Sequence, residues 1–420
     1  MSKPIYIVVT PFFPSPSDWS GSYCLDFAKA VQRTGRFRVE VFRGGVGPDY
    51  EIDGIRVHLF PVCQLPSNAF PLLFARSNAR SFVASVERAG IDWRDVAVCH
   101  GHTANCAVYP LAVKAKNPAC RTLLHHHDPQ SFGLNLGRLR HNALYTAILF
   151  RQFRRLHEQI DCHVFVSEMS RRSFLAAPNT DGTLYADYAR QMRGPRFFRC
   201  RPAKIRESVV LHNGVDTRIF HPVAVGGGTP TLPTSAVGGG TPTLPSERFV
   251  IGCIANFVDW KGHATLIRAA ARVRDEKLLD GAAPRLVFVG TGPTRTVCER
   301  LADALGVAAE FRDEVRHEHL PAFYQAIDLF VLPSSFEGFG CVFTEAHACG
   351  VPYLCCTGQG ISELTPPEWM FAPGDDAALA RKIAWVRRER PQQTLLGEWR
   401  IDPLVAAFVN ANGLDGCPRF

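Results

Sequence analysis

Two glutamates, Glu337 and Glu345, stand eight residues apart on either side of a glycine-rich turn. An apolar strand, Asp328 to Leu332, leads into the turn, and a helix is expected to open near Cys341. That order aims backbone N–H groups and the positive end of a helix dipole at one point, which favours an anion. Were the whole span helical, the two carboxylates would lie about 12 Å apart. The acid pair of a retaining glycosidase needs roughly 5 Å, so the spacing does not suit one. It suits the two ends of a long ligand with a phosphate between them. Lys261 comes after another apolar stretch, Phe249–Ala255, and precedes an amphipathic one. An ammonium at such a helix start adds to the dipole in holding a diphosphate. Val289-Gly-Thr-Gly-Pro293 has the same setting, and Gly290 and Gly292 allow close backbone approach. The full G-x-G-x-x-G pattern is absent there, as is an acidic residue at the distance a dinucleotide ribose requires.

His125, His126 and His127 end a further strand. Strand neighbours point to opposite faces, and zinc takes convergent ligands, usually four, so no metal site is expected from this run. His100 and His102 close the preceding strand and are read either as cleft-lining or as satisfied loop histidines.

These residues need elements to hold them. Apolar runs alternate with amphipathic stretches through both halves of the chain. Strands are expected at Ile5–Thr10, Val39–Phe42, Val57–Phe60, Val96–His100, Arg121–His125 and His163–Val166, with helices at Ser22–Arg33, Ala79–Ala89 and Cys106–Ala115. The second half repeats the scheme: strands Phe249–Ala255, Leu286–Val289 and Leu329–Leu332, helices Ala264–Asp275, Thr294–Leu305 and Val342–Ala348. Such alternation argues for α/β domains with doubly wound parallel sheets. Between the halves, Ala224–Pro233 recurs at Ala236–Pro245; glycine and proline oppose regular structure there, and two copies are too few for a solenoid.

The stretch around Glu337 resembles the Glu-x7-Glu signature of retaining glycosyltransferases of family 4, also called group 1. The resemblance implies GT-B architecture, two Rossmann-like domains facing across a cleft. It divides the chain into 1–215 on the acceptor side, a linker at 216–248, a nucleotide-sugar domain at 249–388 and a C-terminal segment, 389–420, packing back on the first domain through Trp399 and Phe408. Val209–Pro222, with its Asn-Gly-Val-Asp, is similar to the segment that closes the first domain, where Asp216 could cap the succeeding turn. By resemblance Glu337 lies at the donor sugar, Glu345 binds the ribose, and the amides of Gly338, Phe339 and Gly340 hold the sugar and diphosphate. Lys261 contacts phosphate, beside Gly290 and Gly292. The family usually carries an arginine five residues before that lysine; here Asn256 stands there, a hydrogen-bond donor without charge. Gly21, the remaining glycine of the family's Gly-Gly, lines the cleft, and His127 aligns with a histidine near the donor sugar. Arg312 is a candidate for approaching the base. The implied reaction is retaining, metal-independent transfer of a sugar from a UDP- or GDP-sugar to a carbohydrate or lipid-linked hydroxyl, with no cofactor. The alternatives are a silent carbohydrate- or partner-binding scaffold and a sugar-nucleotide epimerase.

Composition sets limits. At 420 residues, 46% hydrophobic and 20% charged, the chain can bury two cores. A net charge of +8 favours anionic partners. Fourteen cysteines without C-x-x-C pairs read as thiols in a reducing cytoplasm. No apolar run approaches a membrane span, so contact with the inner face of a membrane must be peripheral. Arg151, Arg154 and Arg155 with the basic stretch Arg190–Arg206 suit such contact, and no nucleic-acid module accompanies them.

Overall fold

The computed structural model describes residues 3–15, 21–64, 72–127, 143–175, 203–222, 249–279 and 283–412. Most of the Arg190–Arg206 stretch and the whole duplicated insert lie outside them. Two compact units result: Met1–Gly214 with Ile401–Phe420, and Val215–Arg400.

The first unit holds an eight-stranded sheet in the order β3-β4-β2-β1-β5-β6-β7-β8. Its strands are β1 (Ile5–Thr10), β2 (Arg38–Gly44), β3 (Tyr50–Ile52), β4 (Ile55–Phe60), β5 (Val96–His102), β6 (Arg121–His126), β7 (Cys162–Phe165) and β8 (Glu207–Val210). Its helices are α1 (Ser22–Arg33), α2 (Ala75–Arg88), α3 (Val108–Lys116), α4 (Ala143–His157) and α5 (Glu168–Phe174). Strand β1 explains the layering. Its odd residues Ile5, Ile7 and Val9 enter one apolar layer with Phe82 and Val86 of α2. Its even residues Tyr6 and Val8 enter the other, with Leu25, Phe27 and Val31 of α1. A strand buried on both faces reads as an unbroken apolar run, as parallel strands do. The sheet is not wholly parallel, however. Strand β3 runs antiparallel to β4. Asp53 and Gly54 both take positive φ between them, the hairpin chemistry of an Asp-Gly pair.

The second unit holds a parallel six-stranded sheet, β11-β10-β9-β12-β13-β14. Its strands are β9 (Val250–Ile254), β10 (Arg285–Val289), β11 (Ala309–Arg312), β12 (Leu329–Leu332), β13 (Tyr353–Cys356) and β14 (Met370–Phe371). Helices α6 (His263–Asp275), α7 (Arg295–Ala304), α8 (Leu320–Gln325), α9 (Cys341–Ala348) and α10 (Asp376–Glu389) accompany it.

The last helix, α11 (Ile401–Ala411), belongs to the first unit. Ile401, Val405, Phe408 and Val409 repeat at helical spacing and join the layer built by α1. Arg33 of α1 pairs with Asp402 at 2.6 Å. Trp399, read with Phe408 as packing back on the first domain, falls in the second unit. The Val215 N–H donates to the Trp399 carbonyl at 3.0 Å, and the Trp399 ring lies edge-on to His347, so it stays with the second unit. Truncating Phe408 to Ala leaves a cavity against Phe27, and an unfolding free energy lower by about 3–5 kcal/mol is expected in denaturant titrations.

Candidate functional site

In each unit the strand order reverses beside one strand. The second unit winds outward from β9 to β10 and β11, then returns to β12 on the other side of β9. Ligands of such sheets bind beyond the carboxyl ends of the strands at this point. The loops after β9, β10 and β12 meet there.

Backbone bonds lace these loops together. The Phe257 N–H donates to the Thr291 carbonyl at 2.8 Å, joining the β9 and β10 loops. The Ser335 N–H donates to the Trp260 carbonyl at 2.8 Å, joining the β9 and β12 loops. The crossings demand glycine. A Cβ on Gly290 would stand 2.2 Å from the Ala255 carbonyl oxygen, and one on Gly262 would stand 2.1 Å from that of Pro333. Both glycines also hold positive φ, where a side chain is strained.

This lacing brings Lys261 and Glu337 together across 76 residues of sequence. The Lys261 ammonium donates to Glu337 Oε1, and both side chains are mostly buried. Gly338, Phe339 and Gly340 come directly after Glu337. The Phe339 side chain is buried, so only its backbone can meet a ligand. Gly340 caps α9 in the left-handed region, with φ of 90°. Eight residues beyond Glu337, Glu345 is buried in α9, and the Tyr324 hydroxyl donates to its Oε2 at 2.8 Å. Tyr324 is a partner of the candidate site that the sequence pattern does not reveal. Only the fold brings the short helix α8 against α9. Burial and the Glu345 carboxylate hold its phenol well above the ordinary range, so it remains a donor. Asn256 is exposed on the β9 loop, near Gly290. Arg312 pairs with Glu310 at 2.6 Å.

In the first unit the order reverses between β1 and β5. Gly21 precedes α1 with φ of 84°, and a Cβ there would stand 2.5 Å from the Phe12 carbonyl oxygen. His127 lies just past β6. Its Nε2 is 2.9 Å from His102 Nδ1, and its ring rests on Tyr23 and His125. His126 points the other way, to His163 at 2.9 Å. His125 and His127 therefore share a face with His100 and His102, and His126 does not. His100 does not line a cleft; it is fully buried. Asp216 receives the Arg218 N–H at 3.0 Å and caps the turn that opens the second unit.

The buried imidazoles are neutral. Burial takes His100 and His157 down to about 3 and His163 to about 4, and it holds His102, His125 and His126 well below the ordinary value. In the unfolded chain each titrates near 6.5, so between that value and its own depressed folded value the unfolded state binds more protons. Stability is therefore complete above pH 6.5 and falls as pH drops. Each such imidazole costs about 1.4 kcal/mol per pH unit below 6.5. Urea midpoints are expected to fall steeply from pH 7 to pH 5; a flat profile would contradict the neutral assignment.

Comparisons with known proteins find similarity in both halves of the chain. The family profile described as "Glycosyl transferases group 1" matches residues 241–398, and "Glycosyltransferase Family 4" matches residues 20–181. A GDP-mannose-dependent alpha-(1-6)-phosphatidylinositol monomannoside mannosyltransferase of Mycobacterium tuberculosis is 36% identical over 221 residues, 48% of this chain and 54% of that protein. The chain thus spans about half the length of the curated relatives it matches first. A lipopolysaccharide core biosynthesis glycosyltransferase of Rhizobium meliloti is 30% identical over 168 residues, 38% of this chain and 45% of its own. Among solved structures, sucrose-phosphate synthase from Thermosynechococcus elongatus superposes with a TM-score of 0.68 at 17% identity, covering 98% of this chain and 99% of its own. An Anabaena protein, HepE, in complex with UDP and glucose superposes with a TM-score of 0.61 at 16% identity, covering 97% and 99%.

Proposed function

The chain belongs to the group 1, family 4 glycosyltransferases and has their GT-B fold, and from that premise we propose that it moves a sugar from a nucleoside-diphosphate sugar to an acceptor hydroxyl with retention of configuration. The observation that carries the proposal is the Lys261–Glu337 ion pair at the mouth of α9. Before donor binds, Glu337 holds the ammonium in position. Bound diphosphate then competes for Lys261 and lies against the α9 N-terminus, where dipole and amides favour negative charge. Departure of the diphosphate is the difficult step, and preorganised positive charge there stabilises it more than the ground state. Stabilisation of this kind needs no divalent metal at the diphosphate. Glu345, fixed by Tyr324, receives the ribose hydroxyls. Glu337 orients the sugar, and the acceptor attacks from the face the diphosphate leaves, passing its proton to a phosphate oxygen.

The GDP-mannose named for the Mycobacterium tuberculosis relative and the UDP and glucose named for HepE support nucleotide-sugar donors of those two classes. Relatives named for phosphatidylinositol mannoside and lipopolysaccharide core support a glycan or lipid-linked acceptor, met at the inner face of a membrane. No helix among the described residues is long and apolar enough to cross a membrane, so the contact proposed is peripheral. Exposed Leu144 and Ile148 on α4, with Arg151, Arg154 and Arg155 nearby, are compatible with it.

Asn256 favours one second reading, a binding scaffold without turnover, because it supplies no charge where family members usually have arginine. One experiment separates the two. Thermal melts with GDP-mannose, UDP-glucose and NAD, combined with an assay of nucleoside-diphosphate release, are expected to show a raised Tm and slow release with one of the sugars. Stabilisation without release would favour the scaffold, and stabilisation by NAD alone would remove the transferase reading.

A further inference from the structure

His100, His102 and His125 take no part in the proposed transfer, yet they form the most concentrated group of nitrogen donors described in the first unit. One ring nitrogen of each lies within 4.8 Å of the other two. All three side chains are buried, at 0%, 1% and 2% exposure. Nε2 of His100, Nε2 of His102 and both nitrogens of His125 have no hydrogen-bond partner among the described residues. Buried polar atoms are nearly always satisfied, and an unmatched set in one place points to an absent water or ion.

The partnered nitrogens sharpen the point. His100 Nδ1 meets the Tyr6 hydroxyl at 2.8 Å, and His102 Nδ1 meets His127 Nε2 at 2.9 Å. Histidines that bind metal through one nitrogen are oriented by a hydrogen bond at the other. Phe27 packs edge-on against all three rings. Beside Phe27, His102 and His125 lies a cavity of about 20 Å³, enough for one water.

We propose that His100, His102 and His125 bind one divalent transition ion of the zinc class, with a water from the adjoining cavity as fourth ligand. Three imidazoles and a water form a recognised zinc coordination set. Neutral imidazole donors select zinc-class ions over calcium or magnesium, which take oxygen. The ion ties β5 to β6 beneath α1. The run of three histidines hid the site, because its members come from two adjacent strands rather than from neighbouring positions. A competing set, Cys24, His102 and His127, shares one residue and offers a sulfur.

The test uses the full chain, stripped with a chelator and titrated with Co2+ and with Zn2+. One Co2+ per chain is expected, with visible d–d bands and no sulfur-to-cobalt charge-transfer band, and Zn2+ should raise Tm. His125→Gln should lose the bound ion. Tyr6→Phe, which keeps the core shape, should weaken Co2+ binding by about tenfold through loss of the bond to His100. Cys24→Ser should bind as the wild type does. If His125→Gln does not fold, Tyr6→Phe and Cys24→Ser still decide. Absence of saturable binding, unchanged affinity in Tyr6→Phe, or a charge-transfer band that disappears in Cys24→Ser would each overturn the site. All these readouts are independent of sugar transfer.

Discussion

Lys261→Ala will slow nucleoside-diphosphate release by about 10²- to 10³-fold, the loss seen when one preorganised donor is removed from a developing negative charge. The effect is large because the ammonium is already in place. Glu337 holds it, and the Gly262 crossing against Pro333 fixes the backbone that carries it. Removing the amine also leaves the Glu337 carboxylate facing the incoming diphosphate without compensation, so repulsion adds to the lost attraction. The drop should appear in kcat more than in KM, since the interaction strengthens as the leaving group charges. Lys261→Arg keeps the charge on a planar, bulkier group and should recover part of the rate. An alanine variant that folds and turns over donor at the wild-type rate would exclude Lys261 from the reaction.

Glu345→Ala will weaken donor binding by about 10- to 100-fold, equivalent to one charge-assisted hydrogen bond of roughly 1.5–3 kcal/mol. Its signature is a donor-induced Tm shift that vanishes, with a raised KM. The substitution also leaves the Tyr324 hydroxyl buried without its acceptor, at about 1–3 kcal/mol of stability. Tyr324→Phe separates the two effects. It removes the hydroxyl and keeps the carboxylate, so affinity falls less than in Glu345→Ala while the basal Tm changes. A Glu345→Ala protein that still responds to donor in full would move the ribose site elsewhere.

The parts of this arrangement that depend on local pattern could be read from the chain alone. Helix α1 spans Ser22–Arg33 and β12 spans Leu329–Leu332, as their apolar spacing indicates. The stretch from Leu329 to Glu345 is a strand, a glycine turn and a helix, because each piece is specified by residues next to it. What depended on distant contacts was not legible. No period or spacing ties Tyr324 to Glu345, or Lys261 to Glu337. The antiparallel β3 was a different omission. Its Asp53-Gly54 turn was visible, but three residues make too short a strand to show alternation. The histidines illustrate the limit best. Alternation along β6 correctly separates His126 from its neighbours, but only the pairing of β5 with β6 brings His125 beside His102.

The placement of α11 bears on how the chain is made. A ribosome releases the amino-terminal unit's strands first, yet the layer that holds Leu25, Phe27 and Val31 is complete only once Ile401–Val409 has emerged. The second unit, continuous from Val215 to Arg400, can complete its own core earlier. Vectorial synthesis would therefore finish the later-encoded half before the earlier one, the reverse of the usual order. Nascent chains stalled before residue 401 should expose a protease-sensitive front half joined to a resistant back half.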